Sequence, residues 1–450
     1  MTMNPIKKLI DRLSAFQLIA LYYFLAVTVS FILLSLPVAH QEGVKWTFID
    51  ALFTAVSAVS VTGLTVVDTS QTFSVTGMWI LAFVLQIGGI GIMTLGTFVW
   101  LVMRKRIGIK ERKLIMADQN QSNLSGIVKL MKQVLYLILL IEFVGGLILS
   151  MYFLKYYDVQ GAFLHGFFSS ISATTNGGFD ITGSSLIPYK DDYFVQFITM
   201  LLIIFGAIGF PVLVEVKDYL FNQDRKHASF SLFTKITTLT FGCLVVVGAI
   251  GIYALEAGFS FVGKSWHEIL FYSLFQSTAT RSGGLTTLDI TQLTEPTLLF
   301  LCMLMFIGAS PSSVGGGIRT TTFALNLLAL FHYARGNKSI KIFKRELHQA
   351  DINKSLMVTM MAFILVFGAT FLLSLTEHNT LLENLFEVCS AFGTTGLSLG
   401  ITSDLTVFGK CIIMVVMFIG RIGIPSFLYL IGRRESEANY HYPKERVIIG

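Results

Sequence analysis

Four short stretches of the chain share one outline. They read Ser57-Ala58-Val59-Ser60-Val61-Thr62-Gly63-Leu64, Ser172-Ala173-Thr174-Thr175-Asn176-Gly177-Gly178-Phe179, Thr278-Ala279-Thr280-Arg281-Ser282-Gly283-Gly284-Leu285 and Ser390-Ala391-Phe392-Gly393-Thr394-Thr395-Gly396-Leu397. The aligned glycines Gly63, Gly178, Gly284 and Gly396 lie 115, 106 and 112 residues apart. Self-similarity at so long a spacing indicates one unit built four times. The chemistry open to such loops is that of the backbone. Glycine reaches positive φ without steric penalty, so a carbonyl can turn inward and no side chain fills the space. A ring of carbonyls can replace the hydration shell of a cation. The candidate positions are Val61, Thr62 and Gly63; Asn176, Gly177 and Gly178; Ser282, Gly283 and Gly284; and Thr394, Thr395 and Gly396. The four motifs contain no Asp or Glu, which argues against a carboxylate ring suited to divalent ions. One such loop alone would read as a tight turn; four, each between two apolar spans, read as the quarters of one filter.

The elements that must hold these loops are membrane-spanning. Of the 450 residues, 54% are hydrophobic and 13% charged, and the mean hydropathy is +0.70. A soluble domain carries about 25% charged residues. About twenty apolar residues cross a bilayer as a helix, and by that measure eight spans are expected, over 16–38, 76–103, 126–154, 192–220, 233–256, 297–333, 354–376 and 404–432. Within each consecutive pair lies a half-polar segment too short to span, which ends in a glycine motif and reads as a re-entrant helix. Asp50 and Glu383 stand near segment starts, where the helix dipole favours negative charge. Ten residues before each glycine stand Phe53, Phe168, Leu274 and Phe386, read as packing. The expected fold is an all-α polytopic membrane protein with four helix–pore-loop–helix repeats, over 1–110, 111–225, 226–345 and 346–450, around a pseudo-fourfold pore.

Charge placement supplies the orientation. With the N-terminus inside, the inner segments hold 25 of the 33 basic residues, concentrated around Arg104–Lys113, Lys217–Lys226, Arg335–Arg345 and the two ends. The outer side holds Lys45, Lys155, Lys190, Lys264 and Lys410. The positive-inside rule places both termini in the cytoplasm and all four re-entrant segments at the outer face. Two spans per unit make successive units parallel, related by an axis along the membrane normal.

The sixth span stands apart. Thirty-seven helical residues would measure about 55 Å against a hydrocarbon core of about 30 Å. It contains Gly308-Ala309-Ser310-Pro311-Ser312-Ser313-Val314-Gly315-Gly316-Gly317-Ile318-Arg319, in which proline and three glycines interrupt the helix. Considered by its residues, this loop reads as a passive kink or a phosphate nest. Arg421 lies inside the eighth span; intramembrane arginines face the interior by default, although this one could snorkel toward Arg433. Arg281 could face the pathway or pack behind the third loop. Glu142 reads as locally paired, with no role in transport.

Four helix–pore-loop–helix units with one key glycine each resemble the Trk/Ktr/HKT superfamily of potassium transporters over nearly the whole chain. The short tails most resemble the membrane subunits of bacterial Ktr systems, the KtrB type. The resemblance implies that the four glycines line a potassium filter, and that Gly63, which is serine in some sodium-preferring plant relatives, favours potassium. It implies that the loop with Gly315, Gly316, Gly317 and Arg319 is an intramembrane gate, with Arg421 facing the pore below the filter. It further implies a homodimer with one pore per protomer and a cytoplasmic nucleotide-binding regulatory ring, KtrA-like, so that nucleotide belongs to the partner. The basic inner segments also suit anionic lipid headgroups. Potassium is the expected substrate ion, with no covalent cofactor. The rival is a sodium-coupled or sodium-permeable potassium carrier. Four scattered cysteines and eight unclustered histidines indicate neither a disulfide framework nor a metal site nor an enzyme. The basic balance reports membrane orientation rather than nucleic-acid binding.

Overall fold

The computed structural model describes residues 13–44, 46–91, 126–221, 230–337 and 339–431, with the single positions 112, 116 and 445. Residues 92–103 of the 76–103 span, most of the basic segment Arg104–Ser125 and both chain ends lie outside the described residues. Among the described residues, four helices are long and apolar enough to cross a bilayer: α1 (Ala15–Leu34), α4 (Ile127–Phe153), α8 (Leu232–Glu256) and α12 (Gln349–Thr376). They match the first span expected in each unit. Their outward faces are apolar. Phe363, Phe367 and Phe371 form an exposed stripe along α12 at the i, i+4 spacing of one helix face, an arrangement suited to lipid.

Each long helix is followed by a short one: α2 (Phe48–Ser60), α5 (Val159–Thr174), α9 (Trp266–Ala279) and α13 (Leu381–Gly393). All four start at a polar cap. Thr47 and Asp158 accept from Asp50 N–H (3.3 Å) and Gly161 N–H (3.3 Å). Ser265 with Glu268 and Thr380 with Glu383 form reciprocal capping boxes, so the reading of Glu383 as a helix-start residue holds. Phe53, Phe168 and Phe386 are fully buried, as packing residues should be.

The second helix of each unit departs from the expectation of one broken span among eight. α6 (Tyr193–Ala207) and α7 (Phe210–Phe221) are bent by 105° at a break where one span, 192–220, was expected. α14 (Val407–Ile422) and α15 (Ile424–Ile431) divide at Gly423, where the span 404–432 was expected to run on. α3 (Val75–Ile90) leaves helical geometry at Gly91. The cause is local and repeated. Gly88-Gly89-Ile90-Gly91, Gly206-Ala207-Ile208-Gly209 and Gly420-Arg421-Ile422-Gly423 each end in a glycine of positive φ (+86°, +104° and +87°). Pro211 and Pro425 then reinforce two of the breaks. In the third unit the break is the loop 307–319 between α10 (Glu295–Phe306) and α11 (Thr320–Ala334), as expected. The connector that follows holds a small antiparallel hairpin, Lys341–Ile342 with Arg345–Glu346.

The units pack head to tail. α3 lies on α5, α6 on α9, α10 on α13, and α14 returns to α2. The closing contact carries an ion pair between Lys410 Nζ and Asp50 Oδ1 at 3.3 Å, with both side chains largely withdrawn from solvent. A charge-assisted bond of this kind contributes about 2 kcal/mol. Lys410→Met should lower the melting midpoint of the detergent-purified protein by several degrees, and adding Asp50→Asn should cost little more. Additive losses from the two changes would show that they do not act through one pair.

Candidate functional site

The glycine loops begin where the short helices run out. In each, the residue two before the key glycine adopts positive φ: Val61 (+56°), Asn176 (+53°), Ser282 (+81°) and Thr394 (+45°). The glycines do so as well, at +92°, +67°, +65° and +89° for Gly63, Gly178, Gly284 and Gly396. The residue between does not. A β-branched valine at positive φ is a true outlier, and strain of this kind concentrates at functional sites. The hydroxyl residue that opens the motif secures the loop. Ser57 accepts from Thr62 N–H through its carbonyl (2.9 Å) and from Gly63 N–H through Oγ (3.2 Å). Ser390 repeats both bonds with Thr395 (2.8 Å) and Gly396 (3.0 Å). Ser172 O accepts from Gly177 N–H (2.7 Å) while its hydroxyl donates to Phe179 O (2.6 Å). The third loop differs: Thr278 donates to Leu274 O within its own helix (2.8 Å).

The loops converge on one point in cyclic order. A methyl group placed on Gly63 would lie 2.9 Å from Gly178 Cα, and one on Gly178 would lie 3.0 Å from Gly284 Cα and 3.2 Å from Gly63 Cα. One on Gly284 would meet Gly178 at 2.7 Å and Gly396 at 3.5 Å, and one on Gly396 would meet Gly63 at 2.9 Å. The carbonyls of Thr62, Gly177 and Thr395 lie against the neighbouring loops' glycines. All twelve residues named from the sequence are thus brought together, and no side chain larger than hydrogen fits at the four aligned positions. Several of the polar side chains around them are engaged elsewhere, while the buried Thr395 hydroxyl has no hydrogen-bond partner among the described residues. Ser60 and Thr62 hydroxyls pair at 2.7 Å, and Ser282 Oγ donates to Thr394 O (2.6 Å). The Asn176 amide, oriented by its hydrogen-bond network, donates to Ala173 O (2.8 Å) and Ile203 O (3.2 Å).

Directly against this ring sits the loop 307–319. Gly316 N–H donates to Thr394 Oγ1 (2.7 Å), and Gly317 N–H donates to Phe392 O (3.0 Å). Gly315 and Gly316 have no room for a Cβ, which would lie 2.5 Å from Ser282 Oγ and 2.6 Å from Thr394 Cγ2. The opposite edge of the loop rests on the broken helices. Val314 N–H donates to Gly206 O (3.2 Å), Ser310 N–H to Ala207 O (3.0 Å), and Phe210 N–H to Ser312 O (2.8 Å). The breaks that the sequence reading passed over therefore supply the carbonyls and amides that receive this loop. Their signal was legible as the thrice-repeated Gly-x-Ile-Gly.

Three arginines bind backbone carbonyls here. Arg421 donates to Val314 O and to Gly88 O, linking the loop to the first and fourth units. Its guanidinium is turned to these two carbonyls. Arg319 donates to Gly315 O and Ser310 O within the loop. Arg281, fully buried, donates to Ile307 O (2.7 Å) and Leu304 O at the end of α10. This places it behind the third glycine loop. Glu142 accepts from Gln86 Nε2 of the first unit, the local pairing expected for it. Glu387, a carboxylate absent from the sequence reading, is wholly buried behind the fourth loop.

Two cavities border the ring and the loop 307–319. One of about 340 Å³ is lined by Gly63, Thr65, Asp68, Asp180, Gly396 and Ser398. The other, of about 440 Å³, is lined by Gly317, Arg319, Asp351, Lys354, Gly423 and Pro425. The first borders the ring at Gly63 and Gly396, and the second borders the loop 307–319 at Pro311, Gly317 and Arg319.

Comparison with known proteins places this geometry in a family. The sequence model of the TrkH family, described as a cation transport protein, matches residues 8–442. The chain is 78% identical over 444 residues to the Ktr system potassium uptake protein D of Bacillus subtilis, covering 98% of this chain and 99% of that one. It is 37% identical to the Ktr system potassium uptake protein B of the same organism, covering 96% of each. In fold it is similar to the crystal structure of the potassium transporter TrkH from Vibrio parahaemolyticus. That match has a TM-score of 0.69 and 20% identity, and covers 91% of this chain and 84% of the other. The chain belongs to the TrkH family of membrane cation transport proteins, and is a transporter rather than an enzyme.

Proposed function

We propose that this protein takes up potassium across the cell membrane through a pore whose filter is the ring of glycine loops. The single observation that carries this reading is the convergence of four loops, from four separated parts of one chain, in one backbone conformation. Handedness that alternates residue by residue turns successive peptide planes so that their carbonyls face one side, and backbone carbonyls in a ring replace the hydration shell of potassium. The printed names of both Bacillus relatives, potassium uptake proteins of Ktr systems, support the choice of ion. The quarters are residues 1–110, 111–225, 226–345 and 346–450 around a pseudo-fourfold axis. Both chain ends face the cytoplasm, so the cavity with Asp68 and Asp180 is the outer mouth.

The loop 307–319 is the gate; its contacts with Ser282 and Thr394 support this reading. Its tip touches Ser282 and Thr394 of the filter, so no ion passes without displacing it. Arg421 acts in two ways. Its bonds to Val314 O and Gly88 O hold the loop across the pathway, and its charge raises the barrier to a cation. Opening requires work from outside the chain, supplied by a cytoplasmic nucleotide-binding ring acting on a homodimer of this subunit. The basic inner segments, which dock that ring and anionic lipid, transmit it. Nucleic acid is no partner.

Two substitutions test the filter and the gate separately. Gly63→Ser introduces a side chain where a methyl already meets Gly178 at 2.9 Å, and should reduce potassium preference over sodium about tenfold, a change of about 1.4 kcal/mol. Uptake by potassium-transport-deficient cells measures this, and equal preference in parent and mutant would remove the first loop from the filter. Arg421→Ala should raise flux about tenfold in proteoliposomes without the regulatory partner, as a charge-assisted tether of about 2 kcal/mol is lost. Unaltered flux at matched insertion would exclude the gate role. The same flux measured with and without sodium separates a potassium pore from a sodium-coupled carrier.

A further inference from the structure

Behind the fourth glycine loop lies a carboxylate that the pathway does not touch. Glu387, in the middle of α13, is 0% exposed. Among the described residues no lysine or arginine forms an ion pair with it. A buried carboxylate without a cation is costly unless hydrogen bonds meet it. Two hydroxyls do. Ser398 Oγ donates to one carboxylate oxygen (3.0 Å) and Thr402 Oγ1 donates to the other. Ser398 in turn accepts from Gly400 N–H (3.0 Å), and its hydroxyl lies 2.9 Å from that of Thr402. Both hydroxyl residues belong to the strand of chain that leaves the filter. Ser398 stands two residues past Gly396, and both Ser398 and Thr402 line the outer mouth beside Gly63.

The other loops are held differently. In the third, buried Gln276 faces Thr286, two residues past Gly284, at 3.3 Å, but Thr286 Oγ1 lies closer to Leu288 O (2.6 Å). In the first, Thr54, at the offset of Glu387 from its glycine, donates to Asp50 O within its own helix (2.8 Å). In the second, the residue two past the glycine is Asp180 itself, which accepts from Thr182, Gly183 and Ser185 N–H. Glu387 therefore ties the exit of the fourth loop to the helix that precedes it by two side-chain hydrogen bonds.

We propose that Glu387 is a positioning residue for ion selectivity. By holding Ser398 and Thr402, its carboxylate sets where Gly396 stands against Gly63 and Gly284. Selectivity in a carbonyl ring depends on its size and on how many oxygens reach the ion. A fourth quarter free to recede enlarges the ring and admits sodium. This inference rests on the filter reading, and the experiment separates the two.

Potassium and sodium uptake are compared at matched membrane insertion for Glu387→Ala, Glu387→Gln, the pair Ser398→Ala with Thr402→Val, and Gly396→Ser as reference. Glu387→Ala should lower the potassium-over-sodium preference about tenfold and raise KM for potassium more than it lowers the maximal rate. The hydroxyl pair should reproduce that change, and adding it to Glu387→Ala should have little further effect. Glu387→Gln, which keeps the shape and an acceptor oxygen, should recover at least half of the preference. A merely structural role would lower the amount of inserted protein and leave the ion ratio unmoved. Unchanged preference in Glu387→Ala overturns the proposal. If that variant does not insert, unchanged preference in the hydroxyl pair overturns it equally. Unchanged preference in Gly396→Ser means instead that the filter reading itself is wrong.

Discussion

A peptide group outside helix or sheet, in an interior without water, must be met by another group of the protein. That requirement organises this chain. Where it leaves helical geometry, many of the freed N–H and C=O groups are taken up within the same loop, by a neighbouring unit or by a side chain. Three of the four glycine loops are secured through the hydroxyls and carbonyls of Ser57, Ser172 and Ser390. The breaks in the second helices offer Gly88 O, Gly206 O and Ala207 O to the loop 307–319 and to Arg421. The irregular parts are irregular together, each supplying what the other lacks.

Arginine serves this economy in a particular way. Arg281, Arg319 and Arg421 all donate to backbone carbonyls at or near the loop 307–319. A guanidinium offers several donors in a rigid fork, so one side chain can meet carbonyls on two elements at once. Arg421 thereby spans from the fourth unit to the third-unit loop and to α3 of the first. Arg281 binds the end of α10 from the third glycine loop. Ring and loop share residues as well as space, because Ser282 and Thr394 belong to the first and contact the second. Displacing the loop therefore removes a bond from Thr394.

Four similar units need not be four equal ones. The first and fourth glycine loops share the serine double bond, the second turns its serine hydroxyl outward along the loop, and the third has no such brace. The third is also the unit whose second helix opens into the long loop. Its glycine loop is steadied instead by Ser282 reaching to the fourth unit and Arg281 reaching to α10. Glu387 adds to the fourth a support with no counterpart of equal strength in the third. A single chain permits this division of labour, because each quarter is a separate stretch of sequence.

Much of this was legible in the residues. The recurring glycine marks positions where only hydrogen fits, and composition with the eight apolar runs marks the solvent as lipid. The proline and glycines of 308–317 mark the interrupted helix, since these are properties of local backbone and of summed hydropathy. The sequence reading took α6–α7 and α14–α15 for continuous spans because a single glycine within an apolar run lowers helix propensity by only about 1 kcal/mol, too little to decide a break. What tips the balance is non-local. Gly209 and Phe210 meet the loop a hundred residues on, and Gly420 packs against Phe392 O. Likewise, sequence could name Arg281 and Arg421 as intramembrane charges but not their partners, which are carbonyls and carry no residue-type signal. Glu387 left no trace because its partners, Ser398 and Thr402, are common residues at unremarkable spacing. The sequence by itself determined the units, their number and the glycines at their centre. The tertiary structure decided which units touch, in what order, and which polar group answers which, because those bonds join backbone atoms that every residue possesses.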